Sequence, residues 1–282
     1  MPIHIDQELL KIGLLLGEDA MKTIGKALAV LSSLALSMPA FSQDMLRHLD
    51  LTSPAMTMAE MTRSDVEALI HSTKEMPLDL RSKRLNGLDL SGLDLSGADL
   101  TDARLNGADL SGTKLDGAKL DQAWILKGNL AGASLKKASL FQAQLRAAKL
   151  DGADLSGSRL AADLSQASLM GAKLTGANLA PDMKNQSMGL MRGVLTSAKL
   201  DGADLTGADL TRVSAEFAKF RKARFTNANL TMMEAAGADF EGAVLNGATI
   251  TGLDIGSARW LGLIGADEAK GEVKNAATAV RE

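Results

Sequence analysis

Few side chains in this sequence can do chemistry, and those few cluster. Met183, Met188 and Met191 fall within nine residues, interleaved with Lys184, Asn185, Gln186 and followed by Arg192. Met56, Met58 and Met61 form a second group. Thioethers are soft ligands suited to Cu(I), so the first set is a candidate metal site. Methionine also fills irregular gaps in apolar cores, and that use competes with the metal. The rest of the inventory is thin. There is no cysteine, so no disulfide, thiolate ligand or thiol nucleophile exists. His48 and His71 precede a long histidine-free stretch, over which no Ser/His/Asp arrangement can be assembled.

What must position these residues is a repeat. From Leu80 to Leu160 every fifth residue is leucine except Ile125, and two residues before each centre alanine dominates, with Thr113 and Gly128 as exceptions between Ala98 and Ala153. The unit reads A-D-L-S-G, as in "ADLSGTKLDGAKLDQA". A period of five is neither 3.6 nor 2, so neither one amphipathic helix nor one flat strand accounts for it. A chain that turns a corner every five residues does. The leucine and the alanine two before it point inward, and the other three point out. Glycine or another small residue near the corner tolerates the turn.

These units resemble the pentapeptide repeat family over about residues 78–260. The resemblance implies an all-β fold, a right-handed quadrilateral β-helix with twenty residues per coil. At the ~4.8 Å spacing of paired strands, about nine coils make a rod of roughly 43 Å. Leucines then stack in columns, each contributing about 1.5–3 kcal/mol on burial. The family's best-known activity is mimicry of duplex DNA, which protects gyrase. That needs a strongly negative rod, whereas residues 78–260 carry 20 Asp+Glu against 22 Lys+Arg, a net of +2.

A twenty-residue coil also says which outward residues stack. Asp79 and Asp99 fall in one column, as do Asp89 and Asp109; such columns are read as solvated faces. Lys114 beside Asp94, and Lys119 beside Asp99, relieve the repulsion. Trp124 lies one coil after Arg104, placed for a cation–π contact. The register slips twice: Leu164 follows Leu160 one residue early, and after Leu179 the next clear centre is Leu190, one residue late modulo five. The slips cancel, since the pattern returns at Leu195, Leu200, Leu205 and Leu210. In the looser second half Ala215 and Ala235 take centres while Phe220, Phe225 and Phe240 replace leucine, an offset of volumes.

Open ends of such a stack need covers. Ser64-Asp65-Val66-Glu67 is a candidate capping box. It would open a helix whose Val66, Leu69 and Ile70 face the first coil, within a linker and capping segment 43–77. The tail 261–282, over Ala266 to Val280, is expected to be helical.

Residues 21–42 hold Lys22 and Lys26, an apolar run from Ala27 to Ser37, Pro39, and Ala40-Phe41-Ser42. That is the layout of a secretory signal, and its apolar run is too short to span a bilayer. Residues 1–20 then read as a start-site error, with Met21 as the natural beginning. The chain after cleavage near Ser42 would be periplasmic or secreted from a bacterium. Together these features point to a non-enzymatic exported scaffold. It would bind a protein partner through an outer face and the 180–192 loop, with Lys184, Asn185, Gln186, Arg192 and Trp124 as candidate contacts. A periplasmic copper(I) binder using Met183, Met188 and Met191 is the alternative, and DNA mimicry is the weakest. No cofactor, nucleic acid or membrane span is expected.

Overall fold

The five-residue unit accounts for every one of its own backbone donors. In Ser96–Leu100, the Ala98 N–H donates to Leu95 O at 3.0 Å, closing a β-turn whose third residue, Gly97, has φ 67°. A positive φ at that position marks a type II turn. The Gly97 N–H donates to Asp116 O of the next coil and the Leu100 N–H to Lys119 O, while the Asp99 N–H donates back to Leu78 O. Only the Ser96 N–H is left over. Asp94 Oδ1 accepts it at 3.1 Å, and accepts the Ser96 hydroxyl at 2.6 Å. The motif is therefore a hydrogen-bond solution: aspartate before the leucine caps the corner, Ser or Thr after it adds a second donor, and glycine supplies the left-handed angle.

In the computed structural model, which describes residues 50–72, 77–182 and 191–281, these corners stack into four parallel ladders. Asp79, Arg84, Asp89 and Asp94 each pair with the residue twenty positions on, and the four columns continue along the chain. Four columns at a five-residue step make a four-sided coil. The sides are too short to form extended strands; each contributes a single bridging residue. Centres and inner alanines are fully buried and form one continuous core. The described residues belong to one compact unit, Asp50–Glu282.

Exceptions in the pattern turn out to be coupled. A Cβ added to Gly128 would sit 2.6 Å from Ile125 Cγ2. The β-branched Ile125 thus occupies the room that alanine fills elsewhere. Thr113, at an alanine position, is kept there by its hydroxyl, which donates to Leu90 O at 2.9 Å. Ser158 has no such partner: its buried hydroxyl makes no hydrogen bond.

The two slips do cancel. At Leu160–Leu164 the corner is lost, Ala161 and Ala162 are buried, and the ladder step falls to nineteen, as in Gln144↔Asp163. The next coil takes thirty-one, as in Asp163↔Val194, and twenty returns at Val194↔Ser214. Leu190 lies outside the described residues; the described centre after Leu179 is Leu195. The Gly193 N–H donates to Leu179 O at 2.8 Å, so the chain rejoins the stack where it left. A Cβ on Gly193 would meet Leu179 Cβ at 3.0 Å and Leu179 O at 3.1 Å, which is why glycine stands there.

Helix α1, Pro54–Thr57, and helix α2, Arg63–Ser72, precede the first coil. The capping box is two residues earlier than the sequence suggests. Thr62, not Ser64, is the cap: its N–H and hydroxyl donate to Asp65 Oδ2 at 2.8 Å, and the Asp65 N–H donates back to Thr62 Oγ1. Val66 is fully buried in the leucine core, with Leu69 and Ile70 packed against it. Polar groups meet the coil's lower edge. Within the stack, Asp109 O and Ser111 O accept N–H groups from the coil below. In the first coil, Asp89 O and Ser91 O accept instead from the Arg63 guanidinium at 3.1 Å each. Arg84 O likewise accepts the Glu60 N–H.

The tail is not the expected α-helix. Ile264, Lys270, Lys274 and Val280 pair with Val244, Thr249, Asp254 and Arg259, so the ladder continues through residue 280. Only the three-residue turns Ala266–Glu268 and Ala276–Thr278 are helical. Parallel pairing lets the tail's carbonyls accept N–H groups of the coil below, such as those of Ile250 and Trp260, which a helix bonded within itself would leave open.

Candidate functional site

Loop and outer faces are the surfaces left for function, because the interior is filled. Met183, Lys184, Asn185, Gln186 and Met188 lie outside the described residues, as do the 1–20 and 21–42 segments. At the flanks, Asp182 pairs with Arg159 at 3.6 Å, and Met191 is half-buried. Arg192 does not project freely. Its guanidinium holds Glu234 through two bonds, 2.8 and 2.7 Å, and donates to Arg212 O at 2.8 Å, with the side chain only 14% exposed. A bidentate pair of this kind is strong and directional. It ties the loop's end across two coils. Beside it an open groove is lined by Arg212, Met232, Glu234, Asp254 and Lys274.

Trp124 stacks above Arg104 in the ladder, as the period requires, but the cation–π contact is not made there. Arg104 instead donates to Ala55 O of the first helix at 3.1 Å, a carbonyl that also accepts from Asn86 Nδ2. The described cation–π pair is Arg159 over Phe141, at 4.5 Å. Trp124 remains half-buried on its side of the coil.

The acidic columns are neutralised from within. Lys114 reaches Asp94 at 3.4 Å and Lys119 reaches Asp99 at 3.8 Å. Arg81 forks onto Asp79, Arg63 meets Asp89, and Asn129 Nδ2 donates to Asp109 at 3.0 Å. Corner bonds favour the ionised form of Asp89 and Asp94. The Ser96 hydroxyl, then its N–H, keep the Asp94 carboxyl below its ordinary range; Ser91 does the same for Asp89. No group of three or more His, Cys, Asp or Glu able to hold a metal occurs among the described residues. None of their helices is long and apolar enough to cross a membrane.

Sequence reasoning missed Arg63, Glu234 and Phe217. The first two act through contacts 26 and 42 residues away. Phe217 stands at a corner where the repeat prefers glycine, a departure visible in the pattern once the corner position is known.

A core of stacked leucines inside four parallel ladders defines a four-sided β-helix built from five-residue units. The Pentapeptide repeats family model matches eight copies, over residues 84–123, 128–160, 161–180, 194–227 and 223–259. The chain belongs to the pentapeptide repeat family, and the stretch between 180 and 194 is left unmatched. Family membership implies the right-handed, quadrilateral form of the coil. Among solved structures the chain is similar to HetL, a pentapeptide repeat protein involved in heterocyst differentiation regulation from the cyanobacterium Nostoc sp. Identity is 28% over 76% of this chain and 94% of that one, with a TM-score of 0.38. It is also similar to QnrB1, a plasmid-mediated fluoroquinolone resistance protein, at 15% identity over 67% of this chain and 90% of that one, with a TM-score of 0.41. A pentapeptide repeat protein of the Arabidopsis thaliana thylakoid lumen is 30% identical over 46% of this chain and 69% of its own, with a TM-score of 0.23. No curated protein matches.

Proposed function

We propose that this chain is a non-enzymatic exported scaffold: a rod of about nine coils, closed by α2 at one end and the tail at the other. It binds a protein partner through an outer face and the 180–192 segment. One observation carries the reading. A ladder stepping by twenty is interrupted by a single thirty-one-residue coil, and both its ends are fastened, by Gly193 to Leu179 and by Arg192 to Glu234. An insertion held so firmly at its base is a presented segment, and loops on rigid scaffolds are where recognition usually sits. The filled interior supports a non-catalytic role.

The test is deletion of residues 181–191, which restores a five-residue step between Leu179 and Leu195. The shortened protein is expected to melt like the parent and to lose the partner that the parent captures. Equal capture by both would overturn the reading. Export is tested separately by sequencing the N-terminus of the processed protein. A start near Gln43 is expected, and a start at Pro2 or Ile3 would refute export.

A further inference from the structure

We infer that the side of the coil centred on Lys199 and Lys219 docks on an anionic phospholipid surface. Five ladder pairs stack like charges one above the other: Asp79↔Asp99, Arg84↔Arg104, Asp89↔Asp109, Lys199↔Lys219 and Glu234↔Asp254. In four of them the protein supplies relief. Arg81, Lys119, Arg63 and Asn129 serve the two aspartate pairs; Glu60 and Ala55 O serve the arginines; Arg192 and Asn275 serve Glu234 and Asp254. Lys199 and Lys219 have no ion pair and no side-chain hydrogen bond among the described residues. They stand one coil apart, about 4.8 Å at the backbone, and both are exposed.

The same side carries further unsatisfied cations. Lys149 is in the same column, two coils below Lys199 with Ser168 between, and Lys222 is at the adjoining corner. Both are exposed and unpaired among the described residues. The acids nearby are engaged. Asp151 accepts from Ser168 and Met170, Asp201 from the Arg221 N–H, and Asp239 pairs with Arg221 and Arg259. From Arg146 to Arg259 this side holds seven Lys or Arg against Asp151, Asp201, Glu216, Asp239 and Glu241, an excess of two formal positive charges, although the whole chain is slightly negative.

Two apolar side chains border the lysines. Phe217, 66% exposed, stands at one corner and Met170, 47% exposed, at the opposite corner. Phe217 holds φ 60°, in a column where Gly107 and Gly237 also have positive φ, and its ring lies over Gly237. Fifteen other described non-glycine residues share that turn conformation, among them Lys127, Ala147, Gln166 and Ser197 in the same column, so what sets Phe217 apart is its exposed ring. A soluble polyanion would answer the lysines and leave both apolar groups in water. An anionic bilayer answers both: headgroups for the lysines, and the interfacial boundary for Phe217 and Met170. This goes beyond the partner-binding reading and does not depend on the 180–192 segment.

The experiment is co-sedimentation of the full chain with phosphatidylcholine vesicles, with and without phosphatidylglycerol. Binding is expected only with phosphatidylglycerol and should weaken as salt is raised. Lys199→Ala with Lys219→Ala should lower partitioning about 30-fold. Phe217→Gly, which installs the residue the corner prefers, should keep the fold and lower partitioning about tenfold. Absence of binding, equal binding to neutral vesicles, or unchanged partitioning of both variants would overturn the inference. So would equal binding of a soluble polyglutamate peptide together with a silent Phe217→Gly.

Discussion

Coils between Leu80 and Leu160 and coils between Leu195 and Ile255 share one backbone but fill it differently. In the first stretch nearly every centre is leucine and nearly every inner position is alanine, so the sites are interchangeable. In the second, volume is traded between positions. Val213 and Met233 occupy inner sites beside the small centres Ala215 and Ala235, all fully buried. The neighbouring centres are Phe220, Phe225 and Phe240, whose rings lie 5.0–5.9 Å apart, with Trp260 edge-on to Phe240 at 5.1 Å. The ladder sets the available cross-section, and the sequence can fill it uniformly or by complementary pairs. Uniform filling is robust to exchange of one site for another; complementary filling makes each site depend on its neighbour.

Truncation at the aromatic column should break the comparison most sharply. Phe240→Ala removes contacts with three other rings and is expected to cost about 3–5 kcal/mol in urea unfolding. A shifted Trp260 emission should report the lost edge contact. Loss below about 1 kcal/mol would mean the aromatic centres are no more coupled than the leucines. Next in size, Met233→Ala should cost about 2–5 kcal/mol. Adding Ala235→Leu should recover much of that loss, whereas Ala235→Leu alone should destabilise by about 1–3 kcal/mol through overpacking. Strict additivity of the pair would show that the volumes are not traded. In the uniform half, Ser158→Ala removes a buried hydroxyl without a partner and should stabilise by about 1 kcal/mol. A lower melting temperature would contradict the idea that alanine is the residue this site prefers.

The smallest effect is one of pH. Asp89, Asp94 and Asp109 have folded-state acidities strengthened by corner hydroxyls and N–H groups, so their pKa values are depressed relative to the unfolded chain. Such groups contribute stability that is full above the unfolded value near pH 4 and is lost as pH falls through the folded values. Denaturation midpoints should thus be flat from pH 7 to about 5 and fall below about 4. Asp94→Asn, which keeps an acceptor but no charge, should flatten part of that fall.

Fold was legible because a period of five is a global signal, repeated until chance is excluded. The modulo-five arithmetic even showed that the slips at Leu160 and after Leu179 cancel. What escaped were features depending on groups far apart in sequence. The capping box was displaced to Thr62 because the true first turn is set by Arg63 reaching Asp89 and Ser91, which no local motif reveals. The tail, expected to be helical, instead continues the pairing, which depends on the coil beneath it. Of the candidate contacts, Arg192 is engaged with Glu234, a partner that becomes visible only when coils are laid over one another. Lys199 and Lys219 share a column by the ordinary twenty-residue step, and Lys149 joins it only once the thirty-one-residue coil is allowed.

Closure of the chain by Gly193 against Leu179 separates what happens outside the stack from what happens within it. The seam bears the same rungs whether eleven extra residues bulge from it or some other number does. Such a junction is a port: a graft of different length or composition could be exchanged there by mutation or by design, while the column of leucines beneath would hardly register the change.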